Sequence, residues 1–477
     1  MATGPLVLLP PEIIHDILLR CEPKDIATFS CVSKTAYALV YDTEDQYLWR
    51  QLFLNLYDDP RKSIRTLVAK ESSSSFNWKD ELQRRTDAEM VARRSLDTDP
   101  HEHTAERRKA LVTFISMVQQ ALPALPDAKG DTLLSQNLQW LDKVLQESRF
   151  LRSSPLQTEI QLHSRLRAYI ALSHDTSPDE DSRNSLAERR IKSRCFVYDI
   201  RNYKPGNGWG AFLADGSVNW QHIEHLANVV LTNLRELPWA TSIPPLGLEN
   251  TRPYSAPGPF LDADWAGVEG TWRRSVCFMD YRDLFGTHSP LCFAERLLSI
   301  TYQFTAFNYS NVAGGPRNPV FFRDSRFREA TRLIEVKLHL IEKDQLRFHE
   351  PSVELESSSS SSFSSSSGNA DFDPRYPTLF FSGTSRGVSG NEAKIEGNVR
   401  IGVDGTVRWT FYDLIQGAVH NGSTLWCSKG VQLGGIASAT GIVGSWSTSM
   451  HDQGDPVGPF WLWKVSHAHP SDLMDWT

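Results

Sequence analysis

The sequence has no apolar run of the length that a membrane-spanning helix needs. None of its 477 residues lies in a stretch approaching the roughly 18 consecutive apolar residues that cross a bilayer. No basic segment precedes the short apolar run at the N-terminus, and Pro10, Pro11 and Glu12 interrupt that run at once, unlike a secretory signal peptide. We therefore expect a soluble protein that stays inside the cell, in the cytoplasm, the nucleus or both, with no membrane partner.

The sequence also has few cysteines and no excess of positive charge. The six cysteines are scattered without a Cys-x-x-Cys pair, which predicts free thiols in a reducing compartment instead of a disulfide framework. The net charge is −7, whereas a dedicated nucleic-acid binder needs a basic face, so we expect no nucleic-acid partner. With 40% hydrophobic and 22% charged residues, the composition is that of a globular protein, and the length allows two to four domains.

No pattern of residues indicates an active site. Residues 383–387 match the Gly-x-Ser-x-Gly nucleophile elbow, but that elbow needs a following helix, and a second alternating segment follows here, so a turn fits better. His222, Glu224 and His225 lie close together on a predicted helix, yet zinc would need further ligands. The mixed charges of residues 84–109 indicate a solvated helix face. We expect no catalytic residue, no metal and no cofactor.

The N-terminal segment, residues 6–56, carries more apolar side chains than it can bury alone. Pro11 suits the first turn of one helix, Pro23 begins a second and Ser33 is placed to cap a third, before a last apolar group around Trp49. A unit of about fifty residues removes only about 60% of its surface from water. Each buried large aliphatic side chain contributes about 1.5–3 kcal/mol. The surplus must therefore be covered, and these arguments leave open whether this chain or another protein covers it.

Four pieces of this segment form a spaced pattern: Leu9-Pro10-x-Glu12-Ile13-Ile14-x-x-Ile17-Leu18, Asp25-Ile26, Val32-Ser33-Lys34 and Leu48-Trp49-Arg50. The pattern resembles the F-box, a three-helix motif that docks onto the Skp-type adaptor of a cullin ubiquitin ligase. Cys21 stands where that family usually has leucine, and Tyr37 where tryptophan is common. The resemblance implies an adaptor interface, with its immediate support, formed by Leu9, Pro10, Ile13, Ile14, Ile17, Leu18, Val32 and Trp49.

The middle of the chain has the apolar periodicity of helices. Apolar side chains form a single helical stripe, typical of core-facing helices, in three segments: Leu111 to Val118, Leu138 to Leu145 and Ile223 to Leu234. We predict an F-box at 1–60 and a helical spacer domain at 61–240, rigid enough to set a distance. A proline-rich linker at 241–262 follows.

The C-terminal part changes to a period of two. Residues 334–340 and 395–401 alternate apolar with polar side chains, and Asp404-Gly405 predicts a hairpin turn. About eight such strands between 263 and 470 predict an antiparallel up-and-down barrel, filled by side chains or holding one small ligand. We expect Trp272, Trp409, Trp426, Trp446, Trp461 and Trp463 to help fill it. Insertions are predicted at 281–330 and 351–376, the second containing a flexible serine run at 357–367.

Residues 267–272, 381–387 and 394–398 resemble the lipocalin-like barrel of some F-box proteins, including those that bind D-type cyclins. The expected fold class is thus α+β, in a fungal-type F-box protein. The resemblance implies a non-catalytic substrate receptor, which reaches a cullin through the Skp-type adaptor and holds an unknown protein substrate. Two alternatives remain open: a barrel that carries a small apolar ligand, and an F-box protein that acts outside the ligase.

Overall fold

The chain divides into two compact units. The computed structural model describes residues 9–42, 46–64, 76–94, 103–126, 130, 132–148, 150–175, 179–237, 243–259, 261–279, 319–323, 329–347, 376–388, 392–415, 426–451, 457–467 and 474–476. The first unit is Met1–His163 and the second is Ser164–Thr477. The predicted domain boundaries stay predictions. Among the described residues, no helix is both long and apolar enough to cross a membrane.

The first unit begins with four short helices. They are α1 (Pro11–Leu18), α2 (Pro23–Ser30), α3 (Lys34–Tyr41) and α4 (Tyr47–Leu56). Prolines occupy the first turn of α1 and of α2, where their missing N–H group costs no hydrogen bond. The Ser33 side chain accepts a hydrogen bond from the Ala36 N–H at 3.0 Å, so the predicted cap of α3 is confirmed.

Three longer helices complete the first unit before its boundary. They are α5 (Trp78–Arg94), α6 (Thr104–Gln119) and α7 (Gln136–Ser148), and α5 packs against α4, α6 and α7. The expectation of a solvated charged face at 84–109 is wrong at two positions, because Arg85 and Arg107 are both buried. Arg107 lies 3.1 Å from the buried Glu159 carboxylate, a partner 52 residues away that the local sequence pattern did not show, whereas Arg85 pairs with Glu81 four residues earlier on the same helix.

Helix α8 (Ile160–Ile170) crosses the boundary between the units, and α9 (Glu180–Val197) and α10 (Trp220–Glu236) lie in the second. Helix α10 buries most of its side chains, because it packs on α9 and on three strands of the sheet described next. A segment after α9 also lies on this sheet: Lys429 donates a hydrogen bond to the Gly208 carbonyl at 2.9 Å, and the Arg408 guanidinium lies 4.8 Å from the Phe212 ring.

The second unit contains a closed antiparallel barrel, as predicted. Its strands are β1 (Gly270–Met279), β2 (Glu329–Ile341), β3 (Leu379–Arg386), β4 (Glu392–Ile401), β5 (Val407–Ile415), β6 (Trp426–Gln432), β7 (Ile442–Thr448) and β8 (Gly458–Val465). Neighbours in sequence pair with each other, and the β1–β8 and β1–β2 pairings close the ring. A short β9 (Met474–Trp476), which the sequence did not predict, adds to β2. The serine run lies outside the described residues, as does most of both predicted insertions. The described residues there are Pro319, the short helix α11 (Val320–Arg323), Tyr376, and Glu329 and Ala330, with which β2 begins before the predicted end of the first insertion.

The barrel interior is packed with aromatic side chains. Trp272, Trp409, Phe381, Phe411 and Phe460 are all nearly inaccessible to solvent and belong to one apolar core. The centroids of the Trp272 and Trp409 rings lie 5.4 Å apart and the ring planes are inclined at 66°, an edge-to-face arrangement that is favourable for aromatic pairs.

Two of the six tryptophans predicted for the interior lie elsewhere. Trp461 and Trp463 alternate along β8 with Phe460 and Leu462, which are in the core, so they point to the outer side. Both are nonetheless buried, because α10 packs against β8. The sequence expectation failed here because β8 is buried on both faces, which removes the alternation that would have shown its inner side.

Candidate functional site

Helix α1 divides its large aliphatic side chains between the core and the surface. Ile14 and Leu18 are each only 3% exposed and pack into the first unit. Ile13 and Ile17, one turn apart, are each 46% exposed. Residues four apart share one helix face, so the two isoleucines form a continuous apolar strip on the outside of α1.

Further exposed apolar residues accompany this strip. Leu9 is 40% exposed, the adjacent Pro10 is also exposed, and Val32, in the turn between α2 and α3, is 75% exposed. We call Leu9, Pro10, Ile13, Ile17 and Val32 the docking surface. Trp49 differs from them: it is buried and its ring stacks on the Tyr41 ring at 5.5 Å.

The eight residues expected at the interface therefore fall into two groups. Five form the docking surface, while Ile14, Leu18 and Trp49 lie beneath the surface, where they can support it. Sequence reasoning missed the half-exposed rings of Tyr37 and Tyr47. The signal for Tyr37 was present, because it lies next to Ala36 in α3, and Ala36 and Val40 mark the inward face of that helix.

An exposed ion pair lies at the start of α2, in the segment that also carries the docking surface. The Lys24 ammonium lies 2.6 Å from the Glu22 carboxylate. Their hydrogen bond lowers the pKa of Glu22 and raises the pKa of Lys24. Because both side chains are in water, this pair contributes little to stability, and the chemistry that distinguishes the surface is its apolar character.

Comparison with protein families identifies the N-terminal part. The family model for the F-box domain matches residues 6–44. The chain carries an F-box domain. Comparison with curated proteins and with solved structures gives no match, so the fungal-type and cyclin-D-binding resemblances stay predictions. F-box domains bind Skp-type adaptors, which implies a cullin-based complex and supports, in general terms, substrate recognition by a ligase of that class. Proteins with this domain are typically non-catalytic.

The matched F-box spans α1, α2 and α3 and contains the whole docking surface. Trp49 lies five residues beyond the matched range, in α4, where it packs on Tyr41 of α3. The exposed isoleucines and Val32 thus belong to the F-box itself, and α4 supports the F-box from the side of the first unit's core.

A second candidate site lies inside the barrel. The Arg274 guanidinium donates hydrogen bonds to the Asp413 carboxylate at 2.7 Å and to the Ser428 hydroxyl at 2.8 Å. Its centre lies 4.9 Å from the ring centroid of Phe411. Arg274 and Asp413 are both buried, and within the described residues Asp413 Oδ1 and Arg274 Nε have no hydrogen-bond partner. One acceptor and one donor therefore remain unused in an apolar interior.

Half-buried aromatic side chains lie at the barrel end towards which this ion pair is displaced. The centroids of Trp426 and Trp446 are 5.3 Å apart, and that of Phe278 is 6.3 Å from Trp446. The Arg332 guanidinium lies 4.9 Å from the Phe278 ring. Sequence reasoning missed Arg274 and Asp413, although both occupy inward positions of the alternation, two residues from Trp272 and Phe411 respectively.

The residues weighed as catalytic or metal-binding have structural surroundings. Ser385 lies within β3, paired with Val336 on one side and Ala393 on the other, so residues 383–386 are strand and the expected turn begins only after them. His222 and His225 are buried against Phe196, and Glu224 binds Arg167 at 2.7 Å. In the part of the chain that the structure describes, no group of three or more His, Cys, Asp or Glu side chains could hold a metal ion.

Proposed function

We propose that this chain is the non-catalytic substrate receptor of a Skp–cullin–F-box ubiquitin ligase, acting in the cytoplasm, the nucleus or both. The observation that supports it best is the exposed pair Ile13 and Ile17 inside a matched F-box domain. The adaptor covers the docking surface, and ligation is carried out by an enzyme that the cullin recruits. The chain contributes proximity between that enzyme and a bound target.

The energetics of the docking surface favour a permanent partner. Covering a large aliphatic side chain is worth about 1.5–3 kcal/mol at full burial; Ile13 and Ile17 are each 46% exposed and Val32 is 75% exposed. Single exposed aliphatics are common on soluble proteins, but a contiguous apolar strip marks an interaction site. The two isoleucines lie one turn apart on the same face, which suits an apolar helix of the adaptor packed against α1.

Chemical footprinting of Cys31 gives a direct check of the covered area. The Cys31 side chain is exposed and adjoins Val32 in sequence, so adaptor binding should protect it from alkylation by a maleimide. Cys277 is the internal control, because burial raises its pKa to about 12 and keeps it unreactive in both states. Mass spectrometry of the labelled peptides measures the extent of labelling at Cys31 and at Cys277. Equal labelling of Cys31 with and without adaptor would place the contact elsewhere.

The receptor half of the proposal rests on the barrel. An acceptor and a donor left unused beside a buried ion pair would stabilise a ligand that supplies the complementary groups, since unpaired buried polar atoms are costly. A peptide group of a target protein carries both an N–H and a carbonyl. We therefore place target binding at the barrel end where Trp426, Trp446 and Phe278 lie above Arg274 and Asp413.

Affinity purification tests target binding separately from adaptor binding. The full chain and the charge-neutral double variant Arg274→Met/Asp413→Leu are purified from cells with and without proteasome inhibition, and bound proteins are quantified. We expect proteins that accumulate on wild type under inhibition to be lost from the double variant, while the adaptor is retained. An unchanged set of inhibition-sensitive proteins would exclude this end of the barrel.

The carrier alternative has less support. A small apolar ligand would need the space inside the barrel, but Trp272, Trp409 and Phe381 are packed in its core, with the Trp409 ring in contact with both of the others. Native mass spectrometry of the purified chain would reveal a retained small molecule if the barrel carried one.

A further inference from the structure

Arg85 of α5 is a fully buried cation held between two aromatic rings of the first unit. Its guanidinium centre lies 4.6 Å from the ring centroid of Phe53, in α4, and 4.5 Å from that of Tyr57, directly after α4. Cations attract the faces of aromatic rings, most strongly when water is excluded. The end of α4 is therefore fixed against α5 by a contact that depends on direction as well as on packing.

Hydrogen bonds fix the same guanidinium in its plane. It donates to Glu81 at 2.9 Å, to the Asn137 side-chain oxygen at 2.7 Å and to the Gln120 side-chain oxygen at 3.2 Å. Burial lowers the pKa of Arg85, and the adjacent Glu81 carboxylate opposes that shift. These acceptors come from α5, from α7 and from the residue after α6, so one side chain joins all three helices to α4.

Asp58, two residues after α4, makes a second connection that shares a partner with Arg85. Its backbone N–H donates to the Asn137 side-chain oxygen at 3.2 Å, the atom that also accepts from Arg85. Its carboxylate accepts from the backbone N–H of Gln136 at 2.8 Å and of Leu122 at 3.1 Å, and from the Ser135 hydroxyl. Asp58 thereby satisfies donors at the start of α7.

We infer that Arg85, Asn137 and Asp58, which we call the clamp, fix α4 against α5, α6 and α7 and, through the ring contact of Trp49 in α4 with Tyr41 in α3, hold the F-box in one orientation relative to these helices. The inference rests on the proposed function for its significance. Burying a charge is expensive, and an apolar side chain of similar size often serves stability as well or better. A planar guanidinium with fixed donor directions instead selects one arrangement among the several that apolar packing allows.

A single orientation matters for ubiquitin transfer. The ligase brings a recruited enzyme close to the lysines that accept ubiquitin. Movement of the F-box relative to α5, α6 and α7 would lower the effective concentration of those lysines at the enzyme. The clamp residues touch neither the docking surface nor a reacting group, so their role is that of positioning residues. Loss of the clamp should leave adaptor affinity intact and reduce transfer.

Distance measurements on the full chain test the clamp directly. Spin labels on noncanonical amino acids at Thr35 in α3 and Lys143 in α7, both exposed and within the first unit, report the orientation of the F-box. The test variants are Arg85→Met and Asn137→Ala. The matched control is Arg84→Met, which removes the neighbouring arginine, a half-exposed residue paired with the same Glu81.

We expect one narrow distance distribution for wild type and for Arg84→Met, and a broad or split distribution for Asn137→Ala and Arg85→Met. In a ligase reconstituted with adaptor and cullin, ubiquitin transfer to the chain's own lysines should fall several-fold in both test variants, with adaptor affinity unchanged. If Arg85→Met fails to fold, the inference is tested by Asn137→Ala alone, since that variant keeps the Arg85 charge and its aromatic contacts. Narrow distributions in Asn137→Ala would overturn the inference, whereas absent adaptor binding in wild type would overturn the proposed function alone.

Discussion

Replacing Ile17 with aspartate should abolish binding of the Skp-type adaptor. The side chain is exposed, so the substitution leaves the first unit folded, and its loss removes a central part of the docking surface. Full burial of an isoleucine is worth about 1.5–3 kcal/mol, so covering the exposed 46% of Ile17 contributes about 1 kcal/mol, and burying an unpaired carboxylate costs several kcal/mol more. A combined loss of about 4 kcal/mol or more weakens binding by about a thousandfold. Isothermal titration calorimetry with purified adaptor measures it.

A matched control separates this effect from a general response to added charge. Val403 is an exposed aliphatic residue in the turn between β4 and β5, in the second unit, so Val403→Asp adds the same charge at a surface with no assigned partner. We expect wild-type affinity for Val403→Asp and no measurable heat for Ile17→Asp. Circular dichroism should be the same for all three proteins. Retained binding by Ile17→Asp would contradict the assignment of α1 to the adaptor.

Asp413→Leu should strongly destabilise the barrel, because it leaves the Arg274 cation buried without its anion. Breaking a buried ion pair from one side costs about 3–5 kcal/mol. Among the described residues, Arg274 then retains its bond to Ser428 and the faces of Phe411 and Phe460, which do not neutralise a full charge. Guanidinium-induced unfolding of the full chain, followed by tryptophan fluorescence, should show the barrel transition moving to lower denaturant.

The double variant tests whether the pair itself carries that cost. In Arg274→Met/Asp413→Leu no charge is buried, so the transition should return most of the way to wild type, as expected for two residues in direct contact. A double variant as unstable as the sum of both single variants would show that Arg274 and Asp413 act independently. In that case the interaction between Arg274 and Asp413 would not be what stabilises this end of the barrel.

Apolar periodicity together with the helix-start residues predicted the helical and the β parts of the chain, but not the short β9. Proline at the start of α1 and α2 and serine before α3 set the helix beginnings, and the alternation through β2, β4 and β5 predicted a closed antiparallel sheet. These features depend on residues close together in sequence. The sequence could not predict which face of α1 is exposed, because isoleucine occurs on both faces. Packing within the first unit, which buries Ile14, decides it.

Sequence reasoning failed where charges are buried by distant partners. Arg85 meets Asn137, 52 residues away, and Arg274 meets Asp413, 139 residues away. A charged residue inside a helical or alternating pattern indicates solvent exposure unless its partner is known, and a single sequence does not pair residues across such distances. Both clusters lie at positions where local rules are broken, which is where functional or positioning residues are expected.

Assembly of the full ligase tests the central claim most directly. The purified chain is mixed with the Skp-type adaptor and with a cullin carrying its catalytic subunit, and the products are separated by size-exclusion chromatography with light scattering. The account predicts a stoichiometric complex in which the chain reaches the cullin only when the adaptor is present, and which Ile17→Asp does not form. A chain that binds the adaptor but never enters a cullin complex would contradict a role as ligase receptor.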